Sequence, residues 1–245
     1  MTSQPSDGPR YFATVGESYD RLQPILAGPS YSKGLDMIVN LIPFEPDAVF
    51  EFVELGCGTA EPSARVLEHF PHATGTCVDS EREMLVLARR KLAPHGGRAQ
   101  IREGDITTCD IPACDVVLSA KTIHHVSPAD LPPLLARIAH ALRPGGCFIL
   151  HDGMSVGPEW GEKVRGQSRC FHHRHVQSAI AADQATQEEI DARRAFKRKM
   201  KAMGRDVEYR HAAETILSVM TEAGFAEVGI VWRMFADTIL VGFIP

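Results

Sequence analysis

Residues 51–70, EFVELGCGTAEPSARVLEHF, break an apolar strand-like run at Gly56-Cys57-Gly58 and then resume with a helical pattern. A dinucleotide fingerprint needs another glycine three residues after the second one, and Glu61 stands there instead. A carboxylate at that point repels phosphate, and Pro62 in the first helical turn removes a backbone donor. No Gly-Lys-Ser/Thr follows, which excludes a P-loop. The glycines still imply a ligand pressed against bare backbone, and the acids Glu54 and Glu61 beside them imply that it carries positive charge.

On either side, short apolar or β-branched runs alternate with amphipathic segments. The pattern predicts strands at 49–55, 74–79, 98–103, 114–120 and 146–152, with helices at 61–69, 81–93 and 129–142. Such a βαβ rhythm implies a parallel sheet covered on both faces. After a helix at 211–223, AEVGIVWRMF and ADTILVGFI follow with almost no linker, so they must pair as an antiparallel hairpin. The expectation is one α/β domain over 1–245, a doubly wound, mostly parallel seven-stranded sheet with that hairpin at its end. Residues 1–45 form a helical lid, polar over 1–10, and 156–206 form a helical insertion.

At 245 residues and 44% hydrophobic, the chain is long enough for one large core. The net charge of −5 does not suit a protein that coats nucleic acid with its whole surface. The charge is unevenly spread: residues 163–205 hold eleven Lys+Arg against four acids, a net of +7, which leaves −12 for the rest. Ile190, Phe196, Met200 and Met203 form an apolar stripe on the same insertion, which could serve a lid or a homodimer. The six cysteines include no C-x-x-C pair, and no signal-like or membrane-spanning run is present, so a reduced, cytoplasmic protein off the membrane is expected.

Twenty-one residues after Gly58 the second strand ends at Asp79, where a carboxylate can accept from both hydroxyls of a ribose. Asp105 follows the third strand and can accept from an adenine amino group, with Met84 and Ile106 flanking the ring. The implied ligand is an adenosine without phosphates but with a cation.

VELGCGT, Asp79, EGDI, DVVLSAKTIHHV and LRPGG, in that order over about residues 50–152, resemble the successive motifs of class I S-adenosylmethionine (SAM)-dependent methyltransferases, which have a Rossmann-like fold. The resemblance implies SAM as cofactor. Glu54, Gly56 and Gly58 would line its methionine part, Asp79 would hold the ribose, Ser80 and Met84 would border the adenine, and Asp105 with Ile106 would read its edge. Ser119 joins this set, and Ser80 is equally suited to cap the next helix. GPSYSKGLDMI, EEIDARRAFKRKM and EAGFAEVGIVWRMFADTILVGF are also similar to the carboxy-SAM synthase branch, where a tyrosine and a late-helix arginine hold an extra carboxylate. Tyr31 matches the tyrosine, while Arg193, Arg194 and Arg198 compete for the arginine.

The acceptor pocket is expected over the C-terminal strand ends. His124 and His125 are candidate bases, Tyr19 and Tyr31 can face the sulfonium, and His151-Asp152 can form an oriented pair. Lys121 either holds a carboxylate or points to solvent. FHHRHV at 171–176 lacks the spaced cysteines or carboxylate of a zinc site, so no metal is expected. The function implied is methyl transfer to a small molecule in specialised biosynthesis. The alternative is another SAM-consuming reaction, either ring closure releasing methylthioadenosine or carboxy-SAM formation, and a nucleic-acid substrate is not expected.

Overall fold

Seven strands form one sheet in the order β3-β2-β1-β4-β5-β7-β6. They are β1 (Glu51–Leu55), β2 (Thr74–Asp79), β3 (Ala99–Glu103), β4 (Cys114–Ala120), β5 (Leu142–Gly153), β6 (Glu227–Met234) and β7 (Asp237–Phe243). The first five run parallel, and β7 pairs antiparallel with both β5 and β6. The computed structural model describes residues 11–157, 162–204 and 206–245. The expected polar tail at 1–10 and Arg205 of the insertion lie outside the described residues.

Strand alternation sorts the core into two layers. In β1, Phe52 faces the layer under α2 (Pro29–Asn40), α3 (Glu61–His69) and α4 (Arg82–Leu92), whereas Val53 and Leu55 face the layer under α5 (Leu131–Ala141) and α8 (Ala213–Glu222). Helix α5 shows how the pattern makes the element: Leu131, Leu134, Leu135 and Ile138 recur at helical spacing and all are buried. No helix among the described residues is long and apolar enough to cross a membrane.

The N-terminal helices α1 (Tyr11–Ala27) and α2 and the insertion helices α6 (Glu162–Ala181) and α7 (Gln187–Ala202) lie together over the strand ends. Thr186 and Glu189 form a capping box at the start of α7. Leu22 and Ile25 of α1 pack with Val176, Ala179, Ala185 and Ile190, which form a separate small core. The expected stripe is therefore only partly right: Ile190 and Met200 are buried, while Met203 is 51% exposed. Ile190 packs on Leu22 and Ile25 of α1 in the same chain, while Met200 lines the cavity over the strand ends.

The turn after β1 carries positive φ at Gly56 (71°), Gly58 (54°) and Ala60 (61°). A Cβ on Gly56 would lie 2.1 Å from Thr122 Cγ2, whereas one on Gly58 would meet only Met84 Cε at 3.4 Å. Gly56→Ala therefore adds overpacking, about 1–3 kcal/mol, to the backbone strain of about 1–2 kcal/mol that Gly58→Ala also suffers. Urea unfolding should show the larger loss for Gly56→Ala, and an equal or smaller loss would remove the steric argument.

Candidate functional site

The C-terminal ends of β1, β2, β4 and β5 open into a cavity of about 1420 Å³, roofed by α1, α6, α7 and the segment after α7. Ligand pockets usually measure about 300–1,000 Å³, so this space is larger than a single small ligand needs. Glu54, Gly56, Gly58, Asp79, Ser80, Met84, Asp105, Ile106, Tyr19, Tyr31, His124 and His125 all line it. Ser119 does not: on β4 it shares the α5 face with Val117, and its buried hydroxyl donates to the Leu55 carbonyl at 3.0 Å.

Asp79 sits at the glycine-turn end of the cavity. Its Oδ2 accepts from Gly58 N at 2.7 Å and its Oδ1 from Glu81 N at 2.8 Å, leaving a further lone pair on each oxygen. Burial pushes its carboxyl above the ordinary value, against the pull of these N–H groups. Asp105 forms an Asx turn, with Oδ1 accepting from Thr107 N at 2.8 Å and Thr107 Oγ1 at 2.7 Å. Ser80 is exposed and is not the cap of α4, whose N-cap position is Glu81.

The two acids of the turn do not offer free negative charge. Glu54 shares the Phe52 face of β1, lies fully buried, and accepts from both the amide (3.0 Å) and the hydroxyl of Ser63 at the start of α3. Burial pushes its carboxyl up to about 8, with Ser63 acting in the opposite direction. Glu61 is held by Lys91 at 2.6 Å and Arg65 at 3.2 Å, which outweigh burial and keep its carboxyl below the ordinary range. Lys91 also reaches Asp20 of α1 at 2.8 Å, and Asp20 accepts from Thr59 Oγ1 at 2.6 Å. Lys91 thus joins the glycine turn, α3 and α1; it has no sequence signal, because its partners lie 30 and more residues away.

At the other end of the cavity, His124 Nδ1 bonds Asp152 Oδ1 at 2.6 Å, and His124 N donates to Asp152 Oδ2 at 3.0 Å. Asp152 is fully buried; despite that burial, His124 and Lys121 hold its carboxyl far below the usual range. The His125 ring lies 4.1 Å from that of His124, and its Nδ1 donates to the Val207 carbonyl at 2.7 Å. Burial, then the neighbouring His124, lowers the pKa of His125. The expected His151-Asp152 pair does not form, because consecutive strand residues face opposite layers. His151 instead lies buried against Gly34 and Trp232, neither ring nitrogen has a hydrogen-bond partner, and burial lowers it to about 3.

Of the two alternatives for Lys121, the structure shows the first: it holds a carboxylate, that of Asp237, and does not point to solvent. At φ 57° it pairs with Asp237, which also accepts from Ser30 Oγ. Tyr19 has Arg193 over its ring at 5.2 Å, so that face is already occupied by a cation. Of the three competing arginines, Arg193 is the buried one, and Arg193 and Arg194 line the cavity. Tyr31 remains as the candidate sulfonium face; burial raises its phenol well above the ordinary value. Among the described residues no three His, Cys, Asp or Glu side chains gather as metal ligands.

The elevated Glu54 carboxyl has a measurable consequence. Between an unfolded value near 4.5 and a folded value near 8, the native state binds the extra proton, so stability is full below that window and falls as pH rises through it. Glu54→Gln cannot ionise and should flatten the profile, gaining on the parent by up to about 1.4 kcal/mol per pH unit across the window. Parallel stability curves for the two proteins from pH 4.5 to 8.5 would contradict a protonated Glu54.

Residues 52–146 match the family model described as Methyltransferase domain. Over 110 residues the chain is 37% identical to trans-aconitate 2-methyltransferase of Deinococcus radiodurans, covering 45% of this chain and 40% of that protein. It is 28% identical over 100 residues to carboxy-S-adenosyl-L-methionine synthase of Campylobacter hominis, covering 41% of this chain and 43% of that one. The chain thus spans less than half the length of these curated relatives. The structure of human N-acetylserotonin methyltransferase in complex with SAM matches with a TM-score of 0.55 at 16% identity, covering 98% of this chain and 60% of that one. With the sheet order, the terminal hairpin and the glycine turn already in place, these likenesses identify the chain as having the class I methyltransferase fold, with residues 52–146 similar to a methyltransferase domain.

Proposed function

We propose that the chain binds SAM and transfers its methyl group to a heteroatom of a small-molecule acceptor. The observation that carries this reading is the His124–Asp152 pair facing the same cavity as the Asp79-closed glycine turn. The cradle fits the cofactor: open backbone at Gly58, spare acceptor lone pairs on Asp79, and an apolar bracket from Met84 and Ile106, while the space at Gly56 is taken by Thr122. When bound, the cofactor supplies an electrophilic methyl on a sulfonium. The named activities of trans-aconitate 2-methyltransferase and N-acetylserotonin methyltransferase support a small acceptor.

In-line displacement needs positioning and exclusion of water more than covalent help. A base is needed where the acceptor atom carries a proton. With Nδ1 bonded to Asp152, the His124 Nε2 is left to take that proton, and the buried carboxylate then stabilises the imidazolium. Tyr31 can lie against the sulfonium with its π face, and a desolvated contact of that kind contributes about 2 kcal/mol.

Three measurements test this reading. Asp79→Ala should weaken SAM binding at least about tenfold in calorimetry on folded protein, since bonds to a charged group are worth about 1.5–3 kcal/mol each. Unchanged affinity would remove Asp79 from the site. His124→Ala should lower S-adenosylhomocysteine formation with a panel of small acids and phenols about 10²–10⁴-fold at nearly unchanged SAM affinity. Release of methylthioadenosine in place of S-adenosylhomocysteine would point to the non-methyl chemistry. Tyr31→Leu should weaken SAM more than S-adenosylhomocysteine, which lacks the positive sulfur; equal weakening would leave Tyr31 as packing.

A further inference from the structure

The segment 206–211, between α7 and α8, is a strap laid across the loop that carries His124 and His125. Tyr209 N donates to the His124 carbonyl at 2.7 Å, His125 Nδ1 donates to the Val207 carbonyl at 2.7 Å, and His211 Nε2 donates to the Val126 carbonyl at 2.9 Å. A carbonyl only accepts, so His125 carries its proton on Nδ1 and presents an unprotonated Nε2.

Little apolar packing holds the middle of this strap. Val207 and Tyr209 are 46% and 44% exposed, and Arg210 adopts φ 39°, a strained value for a non-glycine residue. Glu208 is the exception. Its side chain is 5% exposed and lies against three cations: Lys197 at 2.9 Å, Arg210 at 3.1 Å and Lys201 at 3.9 Å. Burial opposes its ionisation, but the bond to Lys197 and the charges of Lys197, Arg210 and His124 lower it to about 2. Lys197 belongs to α7, the helix whose Arg194 and Met200 also line the cavity.

We infer that Glu208 is a positioning residue for the histidine pair: its ion pair with Lys197 anchors the strap to α7 and so fixes His125 in the Nδ1-protonated form. The inference rests on the proposed reading only in taking the histidines to face the acceptor. Its consequence is that the α7 wall and the two imidazoles are one mechanical unit. An acceptor that settles against α7 sets the strap, and the strap sets the rings. Glu208 is the buried member of the pair and Lys197, 53% exposed, reaches it from α7, so loss of Lys197 removes the shortest ion pair of a buried carboxylate, loss of Glu208 removes the anchor itself, and either should release the strap.

Nitrogen NMR of the histidine side chains in the full chain tests this without any acceptor. In the parent protein the His125 signals should report the Nδ1-protonated neutral tautomer. In Glu208→Gln and, separately, Lys197→Met they should move toward the Nε2-protonated form that free imidazole favours, and Glu208→Asp should restore part of the parent signal. Circular dichroism should be unchanged, and SAM affinity should stay within about twofold, well under 1 kcal/mol. An unchanged His125 tautomer in both variants would overturn the inference. So would a shift in Glu208→Gln with none in Lys197→Met, because the pair would then not be the anchor. Should SAM fail to bind the parent protein, the proposed function falls, while the tautomer readout still decides the role of Glu208.

Discussion

Two backbone amides from separate turns converge on the carboxylate of Asp79, and the site is built outward from that junction. The β1–α3 turn turns sharply, with Gly56 and Cys57 both donating to the Val78 carbonyl, so it lies hard against the end of β2. Left-handed φ at Gly56 is tolerated because no Cβ is present, and the space gained is filled by Thr122, whose hydroxyl donates to the Gly56 carbonyl at 3.0 Å. Thr122 starts the loop that carries His124 and His125. A single carboxylate, one glycine and one threonine therefore relate the cofactor end of the cavity to the acid/base end.

Discrimination against phosphate has a different origin from the one the acids at positions 54 and 61 first imply. Phosphate sites use free N–H groups at a helix N-terminus. Here Pro62 has none, and the Ser63 amide is taken from inside by Glu54. Glu61 is neutralised by Lys91 and Arg65, so the turn presents shape and filled hydrogen bonds more than a negative field. Its lysine partner does more than cancel charge. By holding Asp20 as well, Lys91 draws α1 down onto the turn and closes the cavity from above.

The sheet was legible because its signal is local and periodic. Five strands, the hairpin and the helices α3, α4, α5 and α8 lie within a few residues of their expected places, since alternation and helical spacing report burial directly. Asp79 and Asp105 were legible for the same reason, as acids at the ends of readable strands. The period-2 rule applied one step further would have turned Ser119 toward α5 and separated His151 from Asp152, leaving Asp152 on the His124 side. No pattern of that kind marks Lys91 or Glu208. Their roles depend on pairs with Asp20, Glu61 and Lys197 that only the folded chain brings together.

The two halves of the cavity are consequently held by different forces. The glycine-turn half is made by strand ends within residues 50–126, rigid because β1, β2 and β4 behind them are buried on both faces. The other half is assembled from α1, α6, α7 and the 206–211 strap, which among the described residues share one small apolar core and ion pairs such as Arg21–Glu189 and Lys197–Glu208. Elements with few buried apolar contacts open at lower free energy than a central sheet. On the proposed reading, exchange of the acceptor belongs to the lid, while the geometry that selects the cofactor stays with the sheet. The basic count of the insertion finds its use in the same division. Arg193 is buried over Tyr19, and Lys197 and Lys201, each more than half exposed, reach Glu208, so part of a surface charge excess goes into contacts that hold the lid in place.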